Sequence, residues 1–455
     1  MGSCQYKYYR LIDLPANYNE IVSAYGVVGM LKSRALKLTF IVSISAMLYV
    51  FGATSVKFNI FPFGYQIGSW AKWAKNQITS NIDLNPQNDA QKISYVENFS
   101  SLLFDFDIQW LSADFDDSYG AIVPLSKTSL LYVSQKGNVY KKNVLTGDLE
   151  QLIIPKLTLN EEPFSLFTLT NNITSAAAAF GVKDAVLVKG TNFSETLVVS
   201  GTYFDKNKNC IILKVFAYDL TKSGSDWRSI YQSKPCIDQF DGMPSWGAGL
   251  AIAGDRKVFL TVGDVLHDGV NNRDLISEDN SDYGKIFLID FVDKTVERYS
   301  TGHRNPQGII KTKSGNVVAV EHGPQGGDEL NHIFHGKHYG WPLTTFGVDY
   351  GDWVWPLNKD NGFHDGFQQP IMSWTPAIGP SDLTEVTSQN SLWKNDIIIS
   401  GMRAQSLFRL KLYNGGINFI EKIEIGRRIR KVEFFEGRVF LKDQVTGEIG
   451  FFDVK

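Results

Sequence analysis

Between positions 302 and 331 the chain sets two loops around one apolar run. Gly302-His303-Arg304-Asn305-Pro306-Gln307-Gly308 precedes the run, and Glu321-His322-Gly323-Pro324-Gln325-Gly326-Gly327-Asp328-Glu329-Leu330-Asn331 follows it. His338-Tyr339-Gly340-Trp341-Pro342 comes shortly after. Loops this rich in Gly and Pro leave backbone carbonyls without ladder partners, and such oxygens suit a hard cation such as Ca²⁺. An Arg fixed beside an Asn can polarise a carbonyl oxygen as negative charge develops on it. The alternative is ordinary turn chemistry around a structural Arg.

These loops need a rigid frame, and the flanking sequence supplies strands. From about Phe104 a helical period is hard to find. Short β-rich runs recur instead between Gly, Asn, Asp and Pro: Leu130–Val133, Val139–Val144, Ile211–Tyr218, Val258–Val262, Ile286–Phe291, Asn316–Val320, Asp396–Ser400, Leu407–Leu412 and Val439–Leu441. The closing hairpin VFLKDQVTGEIGFFDV echoes LLYVSQKGNVYKKNV near the start of this region. Echoed hairpins suggest radial repetition, which protects sheet edges. Residues 104–455 are therefore expected to be all-β, a six-bladed propeller of about 58 residues per blade. A double-sheet sandwich is the alternative, and the region is long for one.

Composition is that of an ordinary globular protein: 43% hydrophobic, 20% charged and 13% aromatic. A net charge of −3 gives no global pull on nucleic acid. Cys4, Cys210 and Cys236 are too few for a disulfide scaffold, and no C-x-x-C pair points to zinc. The run Asp114, Asp116 and Asp117 offers paired carboxylates for a hydrolase, but reads better as a solvated acidic loop.

Leu38–Val56 carries no charge, and Lys32, Arg34 and Lys37 crowd its N-terminal side. At about 1.5 Å per residue this run spans a bilayer's hydrocarbon layer. The positive-inside rule places residues 1–37 in the cytoplasm, 38–56 in the membrane as an uncleaved signal anchor, and everything beyond outside the cytoplasm, periplasmic or extracellular. A cleaved signal peptide and a buried core helix are the rival readings. Residues 57–103 read as an aromatic-rich connector. Outside the cytoplasm Cys210 and Cys236 could pair, or be two unrelated buried thiols.

GHRNPQG, EHGPQGGDELN and YGWP, in this order, closely resemble the glucose/sorbosone dehydrogenase family. Val262-Gly263-Asp264, Tyr283-Gly284-Lys285-Ile286, Ser373–Ser381 (SWTPAIGPS), Gly426-Arg427-Arg428-Ile429-Arg430 and Leu441-Lys442-Asp443 extend the likeness over roughly residues 110–455. The resemblance implies a six-bladed propeller holding pyrroloquinoline quinone (PQQ) with Ca²⁺ and oxidising an aldose at its anomeric carbon. It implies that Arg304 and Asn305 face the reactive quinone carbonyl and that the Gly323 and Pro324 carbonyls hold the Ca²⁺. Arg428 and Arg430 would pair with quinone carboxylates, since alternate residues of an extended turn point the same way. Arg403 stands where some members have a carboxylate-binding Lys, and Trp374 would line the sugar pocket.

One departure from the family pattern bears on activity. The family's general base is a His in a segment that here reads Gly242-Met243-Pro244-Ser245-Trp246-Gly247-Ala248-Gly249-Leu250. Ser245 or Trp246 falls on that His, and Gly249 on a family Arg. The seven His are 267, 303, 322, 332, 335, 338 and 364, and none is near until His267. Two readings follow: a membrane-anchored quinone-dependent sugar dehydrogenase with its usual base missing, or a non-catalytic propeller that binds a glycan or protein partner.

Overall fold

The computed structural model describes residues 93–455 except 115–116, 118, 172, 174–179, 191–193, 223, 239–244, 266–275, 277–278 and 349–362. The expected cytoplasmic segment, membrane anchor and most of the connector lie outside the described residues. Among the described residues no helix is long and apolar enough to cross a membrane.

The chain opens with β1 (Ile93–Ser100) and β2 (Asp105–Leu111) and then lays down sheets in strict sequence order. β3 (Ala121–Ser126), β4 (Ser129–Val133), β5 (Val139–Asn143) and β6 (Leu149–Gln151) make the first blade. α1 (Glu161–Thr170) leads to the second: β7 (Val182–Lys189), β8 (Glu195–Asp205), β9 (Cys210–Asp219) and β10 (Arg228–Gln232). The third comprises β11 (Gly247–Gly254), β12 (Lys257–Val262), β13 (Lys285–Asp290) and β14 (Thr295–Thr301). The fourth comprises β15 (Pro306–Lys311), β16 (Val317–Glu321), β17 (Asp328–His332) and β18 (Met372–Trp374). The fifth comprises β19 (Pro380–Glu385), β20 (Ile397–Gly401), β21 (Ser406–Tyr413) and β22 (Gly416–Glu424). The last joins β23 (Ile429–Phe435), β24 (Arg438–Asp443) and β25 (Ile449–Asp453) to β2 and β1.

The fold is the expected all-β, six-bladed propeller. The echoed hairpins are β4–β5 and β24–β25, equivalent positions in the first and last blades. One boundary moves. Residues 93–100, assigned to the connector by sequence, form the outermost strand of the last blade.

Strands β3, β7, β11, β15, β19 and β23 neighbour one another in that order, and β23 meets β3, so the ring closes. Second-layer strands such as β12 (KVFLTV) are covered on both faces and read as nearly unbroken apolar runs. The rim strand β22 (GINFIEKIE) alternates exposed and covered residues. Each blade zigzags outward from its innermost strand. The loops before that strand, and those joining the second strand to the third, therefore share one end of the channel.

Short hydrogen bonds fasten blade to blade. Ser200 Oγ donates to the Ala248 carbonyl (2.6 Å), Thr261 Oγ1 to Pro306 (2.7 Å) and Ser381 Oγ to Ile429 (2.7 Å). The Leu250 N–H reaches Asp184 Oδ2 at 2.8 Å, and the Val432 N–H reaches Asp382 Oδ2 at 3.0 Å. Lys431 Nζ ties these two carboxylates together, at 2.8 Å from Asp184 and 3.0 Å from Asp382. All three side chains are buried.

Cys210 and Cys236 are disulfide-bonded, which settles the open pairing. The bridge closes a loop between β9 and the segment after β10. Replacing Cys236 by Ser is expected to cost about 2–4 kcal/mol, read from denaturant unfolding of the oxidised protein with and without the substitution.

Within the acidic run, Asp117 is not solvated. Asp117 is buried, accepting from Tyr132 Oη (2.7 Å) and the Gln135 N–H (2.6 Å), and burial pushes its carboxyl above the ordinary range. Asp114 pairs with the buried Lys142.

Candidate active site at one end of the channel

Arg304 sits in the connection from β14 to β15. Its N–H donates to Glu321 Oε2 (2.9 Å), and its carbonyl accepts from the Asp264 N–H (2.7 Å). Its guanidinium Nη1 donates to the His322 carbonyl (3.2 Å) and the Gly323 carbonyl (2.8 Å). The same guanidinium lies 5.4 Å from the centre of the Trp341 ring, whose Nε1 donates to Asp264 Oδ2 at 3.0 Å. The three motif segments read from the sequence therefore meet at one point, where Arg304 is the shared member.

Asn305 completes the contact. Its Oδ1 accepts from Gln307 Nε2 (2.6 Å) and the Gly247 N–H (3.2 Å), and its Nδ2 faces His322 Nδ1 at 3.4 Å. His322 Nε2 donates to the Pro380 carbonyl (2.7 Å), which leaves Nδ1 as the acceptor. Burial above all, with Arg304 and Arg430, pushes the imidazole's pKa down against the pull of Asp328. His322 is thus a neutral, fully engaged ring. Its sensing of both Arg304 and Arg430 brings the fourth-blade and last-blade cations to the same end of the channel.

Asp328 binds the loops together. Its Oδ1 accepts from the Gly323 N–H (3.1 Å), and its Oδ2 from the Ile378 and Gly379 N–H groups (2.7 Å each). A side chain at 323 would bring a Cβ within 2.3 Å of the Gly326 and Gly327 carbonyls, so this tight turn requires Gly. Asp328→Ala is expected to leave three N–H groups unpaired, costing about 1–3 kcal/mol each at most, read as a fall in thermal stability.

Beneath Arg304 lies a buried acid network. Glu321 accepts from His303 Nδ1 (3.1 Å) and Asn331 Nδ2 (2.7 Å), and Asn331 also donates to Glu329 (3.1 Å). Burial first, then Glu321 and Asp328, holds the Glu329 carboxyl well above the usual range.

On the last blade, Arg428 donates to Gln444 Oε1 (3.3 and 3.4 Å) and the Met402 carbonyl (3.4 Å). The Arg430 guanidinium stacks 4.5 Å from the centre of the Tyr119 ring. Lys183 Nζ lies 4.0 Å from the same ring centre. Lys442 is nearby; burial, opposed by Asp117 and aided by Arg430, pushes its ammonium down to about 8. Arg403 is exposed in the turn between β20 and β21.

Trp374 is placed differently from the sequence expectation. It is 6% exposed and packs with Ile378 and Phe408 in the core between the fourth and fifth blades, so its indole does not line an open pocket. Ser245 and Trp246 stand where the resemblance expects a basic His. Trp246 is buried in the core, and the Ser245 carbonyl accepts from the Val265 N–H (3.2 Å). A Cβ at Gly249 would lie 2.5 Å from the Gln307 carbonyl, so an Arg does not fit there with blades three and four as packed. His267 lies outside the described residues.

Sequence reasoning missed Lys183, Asp264, His322, Asp328 and Trp341 as site-builders. Four of them lay inside quoted motifs without an assigned role. Lys183 was signalled only by a charged pair opening an apolar run, VKDAVLVK. A groove lined by Thr312, Asn316, Glu385 and Lys394 lies between the fourth and fifth blades and away from this chemistry.

The family model for glucose/sorbosone dehydrogenase matches residues 172–449, more than half of the chain. The chain belongs to this family. An uncharacterized protein, slr1608, of Synechocystis sp. is 33% identical over 254 residues, covering 50% of this chain and 59% of that protein. The aldose sugar dehydrogenase YliI of Escherichia coli is 26% identical over 251 residues, covering 51% and 65%. The chain thus matches less than two thirds of each of these curated relatives. The apo soluble aldose sugar dehydrogenase of Escherichia coli superposes with a TM-score of 0.62 at 19% identity, over 76% of this chain and all of that one. The PQQ-bound aldose sugar dehydrogenase of Streptomyces coelicolor gives 0.56 at 19%, over 79% and 98%. At these identities the structures speak for the shared propeller. The glucose/sorbosone dehydrogenase motifs of this chain are the ones that converge on Arg304.

Proposed function

We propose that the protein is a membrane-anchored, PQQ-dependent aldose dehydrogenase whose propeller faces away from the cytoplasm. The observation that carries the reading is the gathering of Arg304, Arg428 and Arg430 at one channel end, from two segments far apart in the chain. Such a group of cations suits a compact polycarboxylate, and PQQ is one. When bound, the quinone would supply the hydride acceptor. Arg304 and Asn305 would hold its reactive carbonyl, Arg304 stabilising the charge that develops there. Arg428 and Arg430 would hold its carboxylates. The anchor at 38–56 and the aldose substrate belong to this same proposal.

Ca²⁺ fits less completely. The protein's own donors are the Gly323 and Pro324 carbonyls, the first already accepting from Arg304. Ca²⁺ takes six to eight oxygens, so about four or more must come from the quinone and water. Calorimetry is therefore expected to show negligible Ca²⁺ binding by the protein alone and clear binding once PQQ is present. Reduction of a dye by the loaded protein with an aldose tests the reaction. No PQQ binding at any Ca²⁺ level would leave the glycan- or protein-binding propeller as the reading.

A further inference from the structure

The Cys210–Cys236 bridge reaches further than the two residues it joins. Cys210 opens β9 and is buried, whereas Cys236 is half-buried beside the exposed Pro235. The segment 233–238, which follows β10, lies against the start of β9. The Ser233 N–H donates to the Leu213 carbonyl (2.8 Å), and Ile211 and Ile237 exchange backbone hydrogen bonds (2.7 and 2.9 Å). The disulfide adds a covalent tie to the same strand.

The other side of this segment holds the third blade. The Lys234 N–H donates to Asp282 Oδ2 (3.0 Å), the Asp282 N–H donates to the Lys234 carbonyl (2.8 Å), and Tyr283 Oη donates to the Pro235 carbonyl. Asp282 and Tyr283 are buried and lead into Gly284. The Gly284 N–H donates to the Gly263 carbonyl, and its own carbonyl accepts from the His303 N–H (3.1 Å each). Gly263 precedes Asp264, which bonds the Arg304 carbonyl and the Trp341 indole, and His303 precedes Arg304. A second route follows the chain from 238 to Gly247, whose N–H donates to Asn305 Oδ1. Both routes run from the bridge to the Arg304–Asn305 pair.

We propose that the Cys210–Cys236 disulfide is a redox-sensitive latch that positions Arg304 and Asn305 for the quinone. The latch rests on the quinone reading above. Closed, it pins the 233–238 segment on β9 and gives Asp282 and Tyr283 a fixed wall to bond. It opens by exchange with a dithiol. A thiolate attacks the Cys236 sulfur, the more accessible of the two, the S–S bond breaks, and Cys210 leaves as a thiolate that takes up a proton. The second sulfur of the dithiol then displaces Cys236. The dithiol ends as a disulfide, and the protein has gained two electrons and two protons. The segment, with Lys234, Pro235 and Asp238 exposed, regains conformational freedom. Quinone binding must then order it again, which lowers affinity.

The test uses the full-length protein labelled with 5-fluorotryptophan, at a temperature where the reduced form stays folded by circular dichroism. Dithiothreitol opens the bridge and is removed anaerobically before any quinone is added. Reduction is expected to shift the Trp341 ¹⁹F resonance, identified by its absence from Trp341→Phe, and reoxidation to return it. PQQ affinity in the presence of Ca²⁺, read by absorbance, should fall about 10- to 100-fold on reduction, the cost of ordering one or two residues, and recover on reoxidation. Cys210→Ala/Cys236→Ser should match the reduced protein and ignore dithiothreitol. Tyr283→Phe should weaken PQQ binding in the oxidised protein and add little in the reduced one, because both changes act through the same segment; a bridge serving the fold alone would leave the two effects independent. An unmoved Trp341 resonance, an unchanged affinity on reduction, or an affinity loss that only follows unfolding overturns the latch. Failure of the oxidised protein to bind PQQ removes the quinone reading instead, and the Trp341 resonance, recorded without quinone, then decides whether the bridge reaches the site.

Discussion

Lys431→Met is expected to destabilise the propeller by about 3–5 kcal/mol, the cost of leaving buried carboxylates without their cation. Lys431 bonds Asp184 on β7 and Asp382 on β19 at once, and all three are buried. Burial, eased by Lys431 and aggravated by Asp184, already lifts Asp382 to about 6. A carboxyl raised in the folded state holds its proton longer there than in the unfolded chain. Its contribution to stability therefore falls as pH rises from about 4 through 6. Without Lys431, Asp382 should rise further and protonate at low pH. The loss should accordingly be smaller at pH 5 than at pH 8. Denaturant unfolding at both pH values checks this, and equal losses would show that the cluster is not held by charge. Adding Asp382→Asn to Lys431→Met should recover part of the stability.

Arg430→Ala is expected to weaken PQQ binding by about 2–5 kcal/mol, roughly 30- to 4,000-fold, by leaving a desolvated carboxylate unpaired. Arg428→Ala should act in the same direction. Arg430→Ala carries a second signature. Arg430 helps to lower the Lys183 and His322 pKa values, so both groups should titrate higher once it is gone. Titration calorimetry reads the first effect and NMR the second. Unchanged affinity in both variants would mean that the two arginines serve the fold alone.

The repeat of hairpins made the ring legible, because β4–β5 and β24–β25 occupy equivalent places and carry the same turn chemistry. Arg304, Asn305, Gly323 and Pro324 were legible as one site because they lie within thirty residues and fold back on a single strand pair. The Lys431 cluster was not. It joins positions 184, 382 and 431, which no local pattern relates. Lys183 was hidden for the same reason, its partners lying on the loop before β3 and on β23. Trp374 was misplaced because an aromatic in a motif loop looks the same in sequence whether it packs inward or lines a pocket. Asp117 looked solvated among neighbouring acids, but Tyr132 and the Gln135 N–H pull it inside. The sequence of β1 could not show that its partner β2 completes a sheet begun some 300 residues later.

That last sheet bears on how the protein is made. β2 meets β25 through three residue pairs, Gln109↔Phe451, Trp110↔Gly450 and Leu111↔Ile449. Five blades can form as the chain emerges from the ribosome, but the seam waits for β25, the last strand of the propeller. Until β25 has emerged, β2 is an open edge available to any other strand. The interval between synthesis of β2 and release of β25 is therefore when the nascent ring is most exposed to misassembly, and when a chaperone covering residues 105–111 would have its effect.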